Sequence, residues 1–266
     1  MDIVLLANRL RLEERRLIEA LAGAGFNAYL KTPEEITANG LIASEDGRAG
    51  LLISRLPAGA EAEAFANAFE AQGWHTLPSS DDLSLFSDRA QFVHAMQVLG
   101  LPLPRTLVAS GHDAILKAAE ALGYPVEVMP LDAAKPSFTA DDADTAEALI
   151  EHRIALARER TMLVRVAHSA DRVRRLLVIG EEVFASIPAE DGVDVAIDVT
   201  EADIELIERL FTGKDASAWA IDLSDDGSVL SIGPVERFRD LQRAGLDITG
   251  AFVRFIESQI GSPALT

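Results

Sequence analysis

Apolar runs alternate with segments of helical periodicity at the start of the chain. Residues 2–7 form an apolar run that suits a buried strand, and apolar residues then recur every three or four positions over 12–22, as in an amphipathic helix. The same alternation continues with two strands and a helix at 26–30, 50–54 and 60–71. Strands that alternate with helices predict a parallel α/β layer over residues 1–78.

The middle of the chain opens with a turn-forming segment at 78–82. Ser87 is expected to cap a helix over 88–99, because a serine hydroxyl can accept a hydrogen bond from a free amide of the first turn. Pro102 and Pro104 then end that helix. The pattern further predicts a strand, a helix, a strand and a helix at 105–109, 113–122, 124–131 and 141–157.

The last third contains three apolar runs, at 162–166, 175–179 and 183–187, with a glycine-containing turn between the last two. Short runs joined by a tight turn predict an antiparallel sheet. A helix, two strands and a C-terminal amphipathic helix are predicted to follow at 201–211, 218–223, 229–232 and 248–260.

Composition narrows the possible partners and chemistry. The 266 residues include 43 Asp and Glu against 24 Lys and Arg, for a net charge of -19, and no cysteine. Such a chain repels phosphate backbones and anionic membranes, so neither nucleic acid nor a membrane is expected as a partner. The missing cysteines exclude disulfides, thiolate metal sites and a cysteine nucleophile.

Three smaller observations complete this picture. The N-terminal apolar run is short and lacks a basic flank, so we expect no signal peptide and a cytoplasmic protein. The five histidines show no metal-ligand spacing and predict no metal site. Glu13 and Glu14, followed by two arginines, are typical of a solvated helix face.

Five short segments, in this order, resemble one known family. They are Asn8-Arg9-Leu10-Arg11-Leu12-Glu13-Glu14, Ser87-Asp88-Arg89, Leu101-Pro102-Leu103-Pro104-Arg105-Thr106, Ala121-Leu122-Gly123-Tyr124-Pro125-Val126 and Gly245-Leu246-Asp247-Ile248. Together they are similar to the ATP-grasp carboxylate-amine ligases of the LysX and RimK type. The resemblance covers nearly the whole chain.

The resemblance implies a fold and a reaction. The fold class would be α/β, with α+β character in the C-terminal part: an ATP-grasp fold with a Rossmann-like pre-ATP-grasp domain at 1–78, a central subdomain at 79–160 and a C-terminal subdomain at 161–266. In the family, ATP phosphorylates a carboxylate and an amine attacks the acyl phosphate. ATP and Mg²⁺ would be the cofactors, and a carrier protein would be a possible partner.

The resemblance also assigns candidate site residues. Arg89 stands where the family has its first phosphate-binding lysine, and Met129 where it has the second. Leu131-Asp132-Ala133-Ala134-Lys135-Pro136-Ser137 replaces the glycine-rich loop that covers the phosphates. Arg175 matches an arginine able to face phosphate or substrate. Arg89 and Arg175 are thus the nucleotide candidates, although each could instead make an ordinary ion pair.

Metal and nucleotide-hinge positions complete the assignment. Asp222 keeps the family's first Mg²⁺ ligand, and carboxylate oxygen suits that hard cation. Ser231 and Gly233 stand where the family has Glu and Asn, and Arg165 where it has an acidic residue at the hinge. Asp222 is therefore the metal candidate, with an interstrand ion pair as its alternative role.

These substitutions lead to three hypotheses of function. The first is a non-catalytic homologue that has lost ATP and Mg²⁺ binding and serves as a binding, regulatory or partner subunit. The alternative is an active ligase that adds glutamate or a related amino acid to a carrier protein or peptide, with Arg89, Arg175 and Lys135 at the phosphates. The third is a purely structural subunit beside an active ligase paralogue, in a homo- or hetero-oligomer.

Overall fold

The structure is a computed structural model, which describes residues 1–36, 50–168, 173–189, 193–212, 217–235 and 238–260. Three sheets, each covered by helices, make up this part of the chain. We name them the N-terminal, central and C-terminal sheets. The division into 1–78, 79–160 and 161–266 stays a prediction.

The N-terminal sheet is the parallel α/β layer that the sequence predicts. Its strands β1 (Asp2–Leu6), β2 (Asn27–Lys31), β3 (Leu51–Ser54) and β4 (His75–Leu77) pair in the order β2-β1-β3-β4, all in parallel. Helices α1 (Leu12–Gly23) and α2 (Ala60–Glu70) connect them. β1 is apolar because helices cover both faces of a parallel sheet. A helix α3 (Ser80–Ser87) replaces the predicted turn, since Ser79 caps it by accepting from the Asp82 amide.

The central sheet is antiparallel and follows helix α4 (Arg89–Val98), whose cap is Asp88 instead of the predicted Ser87. Strands β5 (Thr106–Ser110), β6 (Val126–Pro130), β7 (Phe138–Ala140) and β8 (Thr161–Val166) pair in the order β5-β8-β6-β7. Helices α5 (His112–Leu122) and α6 (Ala143–His152) cover one face. The sequence pattern misses β7 because three residues are too few to show an alternation.

The C-terminal sheet is antiparallel, as predicted. Strands β9 (Arg174–Ile179), β10 (Glu182–Pro188), β11 (Asp194–Ile197), β12 (Ala218–Leu223) and β13 (Val229–Pro234) pair in the order β11-β10-β9-β12-β13. Helices α7 (Glu201–Leu210), α8 (Arg239–Arg243) and α9 (Ile248–Ile260) accompany them. The turn between β9 and β10 uses Gly180 at φ 58°, a conformation that suits glycine.

One buried core joins the N-terminal and C-terminal sheets. Apolar residues of β1, β3 and α1 pack in the same cluster as residues of β9 and α9. The opposite face of the C-terminal sheet packs on α3, α4 and α7 through a second cluster, with Trp219 at 1% exposure. None of the described helices is long and apolar enough to cross a membrane.

A buried ion pair lies where these two sheets meet. The prediction of a solvated face at Glu13 and Glu14 is wrong, because they are 7% and 0% exposed. Glu14 Oε1 lies 3.2 Å from Nη2 of Arg55, a residue that follows β3 and also donates to the carbonyl of Val235. The Arg55 guanidinium stands 4.8 Å from the ring centre of Phe238. The charges are therefore compensated inside the core.

Candidate functional site

A cavity of about 540 Å³ lies between the central and C-terminal sheets. We call it the cleft. Apolar side chains supply much of its wall, namely Phe86, Phe92, Met129, Leu163, Leu230 and Ile232. Its charged lining includes Arg89, Glu127, Arg165, Arg175 and Asp222. The structure thus brings together Arg89, Arg175 and Asp222, the three candidates from the sequence.

Arg89, the first residue of α4, is directed at backbone carbonyls. Nη1 donates to Pro130 and Asp132, both at 2.7 Å, and Nη2 donates to Ala133 at 3.1 Å and Lys135 at 2.9 Å. A guanidinium has five N–H groups, so four of them serve this contact. Burial lowers the pKa of Arg89. The side chain therefore acts as an anchor for the segment after β6.

The segment that replaces the glycine-rich loop, 131–137, is also held through its main chain. The Arg89 amide donates to the Leu131 carbonyl, and the Ala133 amide donates to the Ser87 carbonyl, both at 2.8 Å. These bonds pair the segment with the start of α4. Amides engaged in this way do not point at a phosphate group.

Met129 occupies the position of the second phosphate lysine and lies on the cleft wall. It is 4% exposed and stands opposite Leu163 in the pairing of β6 with β8. A thioether packs well against apolar neighbours but carries no charge and accepts hydrogen bonds only weakly. This wall of the cleft is consequently apolar where a cation is expected.

Arg165, on β8, spans the cleft. Its Nε donates to Glu127 Oε2 on β6 at 2.7 Å, and its Nη1 donates to the Leu230 carbonyl on β13 at 2.8 Å. Glu127 also accepts from the Ser137 hydroxyl at 2.5 Å. One side chain thereby joins the central sheet to the C-terminal sheet.

Asp222, the metal candidate, is paired with Arg175 on the neighbouring strand β9. Nε of Arg175 lies 2.7 Å from Oδ1, and Nη2 lies 3.2 Å from Oδ2. Ser231, opposite Asp222 on β13, donates its hydroxyl to Oδ2 at 2.9 Å. Both oxygens of the carboxylate therefore accept hydrogen bonds within the protein. Gly233 adds no side chain beside them.

Two cleft residues were not singled out from the sequence. Glu127 is an acid within an otherwise apolar strand, a signal that could have marked it. His168 lines the cleft with a buried Nε2 that has no hydrogen-bond partner within the described residues. It follows β8 directly, and nothing in the local pattern distinguishes it from a surface histidine.

Both acidic side chains that line the described part of the cleft have an arginine partner. Mg²⁺ takes several oxygen ligands in octahedral geometry. Glu127 and Asp222 are each engaged by an arginine, and no group of three carboxylate or imidazole donors converges in the described part of the cleft. The serine hydroxyl and the bare glycine at 231 and 233 supply no further carboxylate. A Mg²⁺ ion bound to either carboxylate would therefore have to displace an arginine.

Comparison with known proteins gives relatives that cover most of the chain. A crystal structure of a RimK domain ATP-grasp protein from Sphaerobacter thermophilus is 30% identical, covers 96% of this chain and 99% of that one, and superposes with a TM-score of 0.83. The glutamate–LysW ligase ArgX of Sulfurisphaera tokodaii is 26% identical over 222 residues, which are 79% of this chain and 77% of that protein. No protein-family model matches.

A more distant structure shares the fold. The ATP-grasp ligase PsnB, solved with the precursor peptide PsnA2 and AMPPNP, is 18% identical and superposes over 98% of both chains with a TM-score of 0.68. At this identity the likeness concerns the fold alone. The expected α/β ATP-grasp fold is thus confirmed.

Proposed function

The chain belongs to the RimK-like ATP-grasp family of carboxylate-amine ligases, and from that premise we propose that it is a non-catalytic member that acts as a binding or partner subunit. The observation that carries this proposal is the bidentate pair of Arg175 with Asp222. The guanidinium neutralises the candidate metal carboxylate and contacts both of its oxygens. A metal ion would have to displace a charge-assisted pair to bind there.

The phosphate side of the cleft supports the same proposal. Arg89 uses its terminal nitrogens on four carbonyls, and Met129 contributes no charge. A triphosphate carries several negative charges that must be neutralised for phosphoryl transfer from ATP to a carboxylate. A phosphate group would therefore compete with the bonds that hold 131–137 in place.

The Arg165 side chain occupies space within the cleft. Its side chain crosses from β8 to the Leu230 carbonyl, and an ion pair with Glu127 fixes its course. A ligand between the two sheets would have to share the space with this side chain or break its bonds. The cleft of this protein is thereby bridged by its own side chain.

The relatives suggest which partner this subunit takes. One is named for joining glutamate to LysW, and another was solved with a precursor peptide. These names support a carrier protein or peptide as the class of partner. Partner binding does not require a functional nucleotide site, since fold and function are separable.

An active carboxylate-amine ligase is the second candidate, favoured by the similarity to a glutamate–LysW ligase over 79% of the chain. In that case Arg89, Arg175 and Lys135 would contact the phosphates, and Asp222 would bind one Mg²⁺. This candidate requires that Asp222→Ala abolishes turnover. The non-catalytic proposal requires that there is no turnover to abolish.

Calorimetric titration with ATP and Mg²⁺ tests the proposal, with a thermal shift as the second readout. Because a ligand that binds only the native state raises its melting temperature, we expect neither heat nor shift at nucleotide concentrations up to about 1 mM. Mg²⁺-dependent micromolar affinity, or ATP-dependent ligation of glutamate to a carrier protein, would overturn the proposal.

A restored variant provides the control. Met129→Lys, Arg165→Glu, Ser231→Glu and Gly233→Asn together return the residue types that the family carries. The added side chain at 233 has room, since its nearest neighbour is the Ala58 Cβ at 4.0 Å. Mg²⁺-dependent ATP binding gained by this variant would assign the loss to these four positions.

A further inference from the structure

A histidine and two glutamates converge on the helices that cover the central sheet, outside the cleft. His112 is the first residue of α5, and Glu147 and Glu151 lie one turn apart on α6. One ligand atom from each of the three residues lies within 4.8 Å of the others. Tetrahedral ligands with bonds of about 2.1 Å lie about 3.4 Å apart, so these side chains would have to move closer together to surround a single ion.

The tautomer of His112 is set by its neighbour. Nδ1 lies 3.0 Å from Oδ1 of Asp113, and because an ionised carboxylate can only accept, Nδ1 carries the proton of the bond. In the neutral ring Nε2 then presents its lone pair. This atom is buried and has no hydrogen-bond partner among the described residues, and Glu151 Oε1 lies 3.9 Å away.

The helices that carry this cluster are packed on the central sheet. Helices α5 and α6 pack on the central sheet through buried residues that include Ile115 and Ile150. Gly111, at φ 87°, allows the chain to turn sharply into α5 and so places the imidazole at the start of the helix. Residues four apart on a helix share one face, which brings both glutamates to the same side.

We propose that His112 Nε2, Glu147 and Glu151 form a binding site for a divalent transition-metal ion, with Zn²⁺ as its best occupant. Zn²⁺ accepts imidazole nitrogen and carboxylate oxygen, and three protein ligands leave its fourth position to water. Asp113 is the positioning residue, because a carboxylate on the other ring nitrogen orients a metal-binding imidazole.

The local charges favour a cation. Asp113, Glu147 and Glu151 place three carboxylates around one imidazole. The positive charge nearby comes from the N-terminal end of α5 and from the ammonium of Lys117, one turn further along that helix. The bound ion would link the start of α5 to α6. This site is independent of the cleft and does not rest on its nucleotide chemistry.

Titration of the full chain with ZnCl₂ in a calorimeter tests the site. We expect one saturable site and a gain in melting temperature. His112→Ala and the double variant Glu147→Gln, Glu151→Gln should each weaken binding by at least about tenfold, because each removes a ligand. His75→Ala and Glu205→Gln, both exposed and remote, are the matched controls and should bind like the parent.

Asp113→Asn separates metal binding from a structural role. The amide loses the charge that orients the ring, so we expect affinity to fall by about 10-fold to 100-fold while the folded circular dichroism spectrum is retained. Co²⁺ absorption should report nitrogen ligation in the parent and lose it in His112→Ala. The absence of a saturable site in the parent, or unchanged Zn²⁺ affinity in His112→Ala, would overturn the proposal.

Discussion

At the scale of one residue, the Arg89 side chain binds backbone carbonyls of the protein. Its planar guanidinium reaches four carbonyls at once, whereas the compact ammonium of a lysine has no such fork. The charge expected from the family resemblance is present at this position. The structure shows that its partners are carbonyl groups of the protein itself.

Substituting Arg89→Lys is therefore expected to release the segment that it anchors, although the charge is kept. We predict a stability loss of about 1–3 kcal/mol from the lost hydrogen bonds. The Ala133 amide should exchange its hydrogen faster, as measured by hydrogen–deuterium exchange. The exposed Arg105→Lys is the control. Equal exchange at Ala133 in both variants would contradict the anchoring role.

The hairpin of β12 and β13 illustrates the scale of an element. The Asp226 carboxylate accepts from the Ser224 hydroxyl at 2.5 Å and the Ser228 amide at 2.9 Å, within the turn. This turn sets the register that places Asp222 opposite Ser231. The two strands were predicted from the sequence, and the turn between them determines which of their side chains meet in the cleft.

A pH dependence follows from this turn. The hydrogen bond from the Ser224 hydroxyl, with those from Ser228, lowers the pKa of Asp226 in the folded chain. The stability that the ionised Asp226 carboxylate contributes to the folded chain is thus fully present above the ordinary aspartate pKa of about 3.9. It is lost as the pH falls through the lowered pKa of the folded state.

Asp226→Asn should destabilise the chain at pH 7 by at most about 1 kcal/mol, because solvent screens an exposed group. The difference in the free energy of unfolding between this variant and the parent should shrink below about pH 4. Urea unfolding at several pH values measures this difference. A difference that stays constant from neutral to acidic pH would show that the charge of Asp226 contributes nothing.

At the scale of the whole molecule, two arginines join parts of the chain that are distant in sequence. Arg165 connects the central sheet to the carbonyl of Leu230, 65 residues away, and Arg55 connects the N-terminal sheet to Val235, 180 residues away. The Arg55 side chain is 1% exposed and the Glu14 side chain 0%. Removing the partner of such a buried charge destabilises the folded protein strongly, because the remaining charge is left without compensation.

Removing the Glu14 carboxylate is predicted to have a large effect. Glu14→Ala leaves the Arg55 guanidinium buried without that counter-charge and should cost about 3–5 kcal/mol in urea unfolding. The exposed pair of Arg254 with Glu182 is the control, and Arg254→Ala should cause no measurable change. Equal losses in the two variants would refute this account.

A double variant isolates the charge effect. In Glu14→Leu with Arg55→Met both charges are absent, and replacement of a buried ion pair by apolar groups of similar volume is often close to neutral. We therefore expect it to be more stable than Glu14→Ala. If it were less stable, the packing of these side chains and not their charge would dominate.

Much of the fold could be predicted because it depends on local patterns. Apolar runs and helical periodicity located the strands and helices of all three sheets, apart from α3, where a turn was predicted, and the short elements β7, β11 and α8. The short elements contain three to five residues and carry too little periodicity to be seen. The family resemblance also located Arg89, Arg175 and Asp222, which line one cleft.

The sequence by itself determined the order of most of the longer elements, the parallel N-terminal and antiparallel C-terminal layers and the residue types at each expected ligand position, because periodicity, caps and turns act within a few residues. Only the tertiary structure decided which charges meet. The pairing of Arg165 with Glu127 and of Arg175 with Asp222 joins residues 38 and 47 positions apart. The convergence of His112 with Glu147 and Glu151 likewise depends on the packing of two helices. Sheet register and helix packing set these distances, and neither is written in a local pattern.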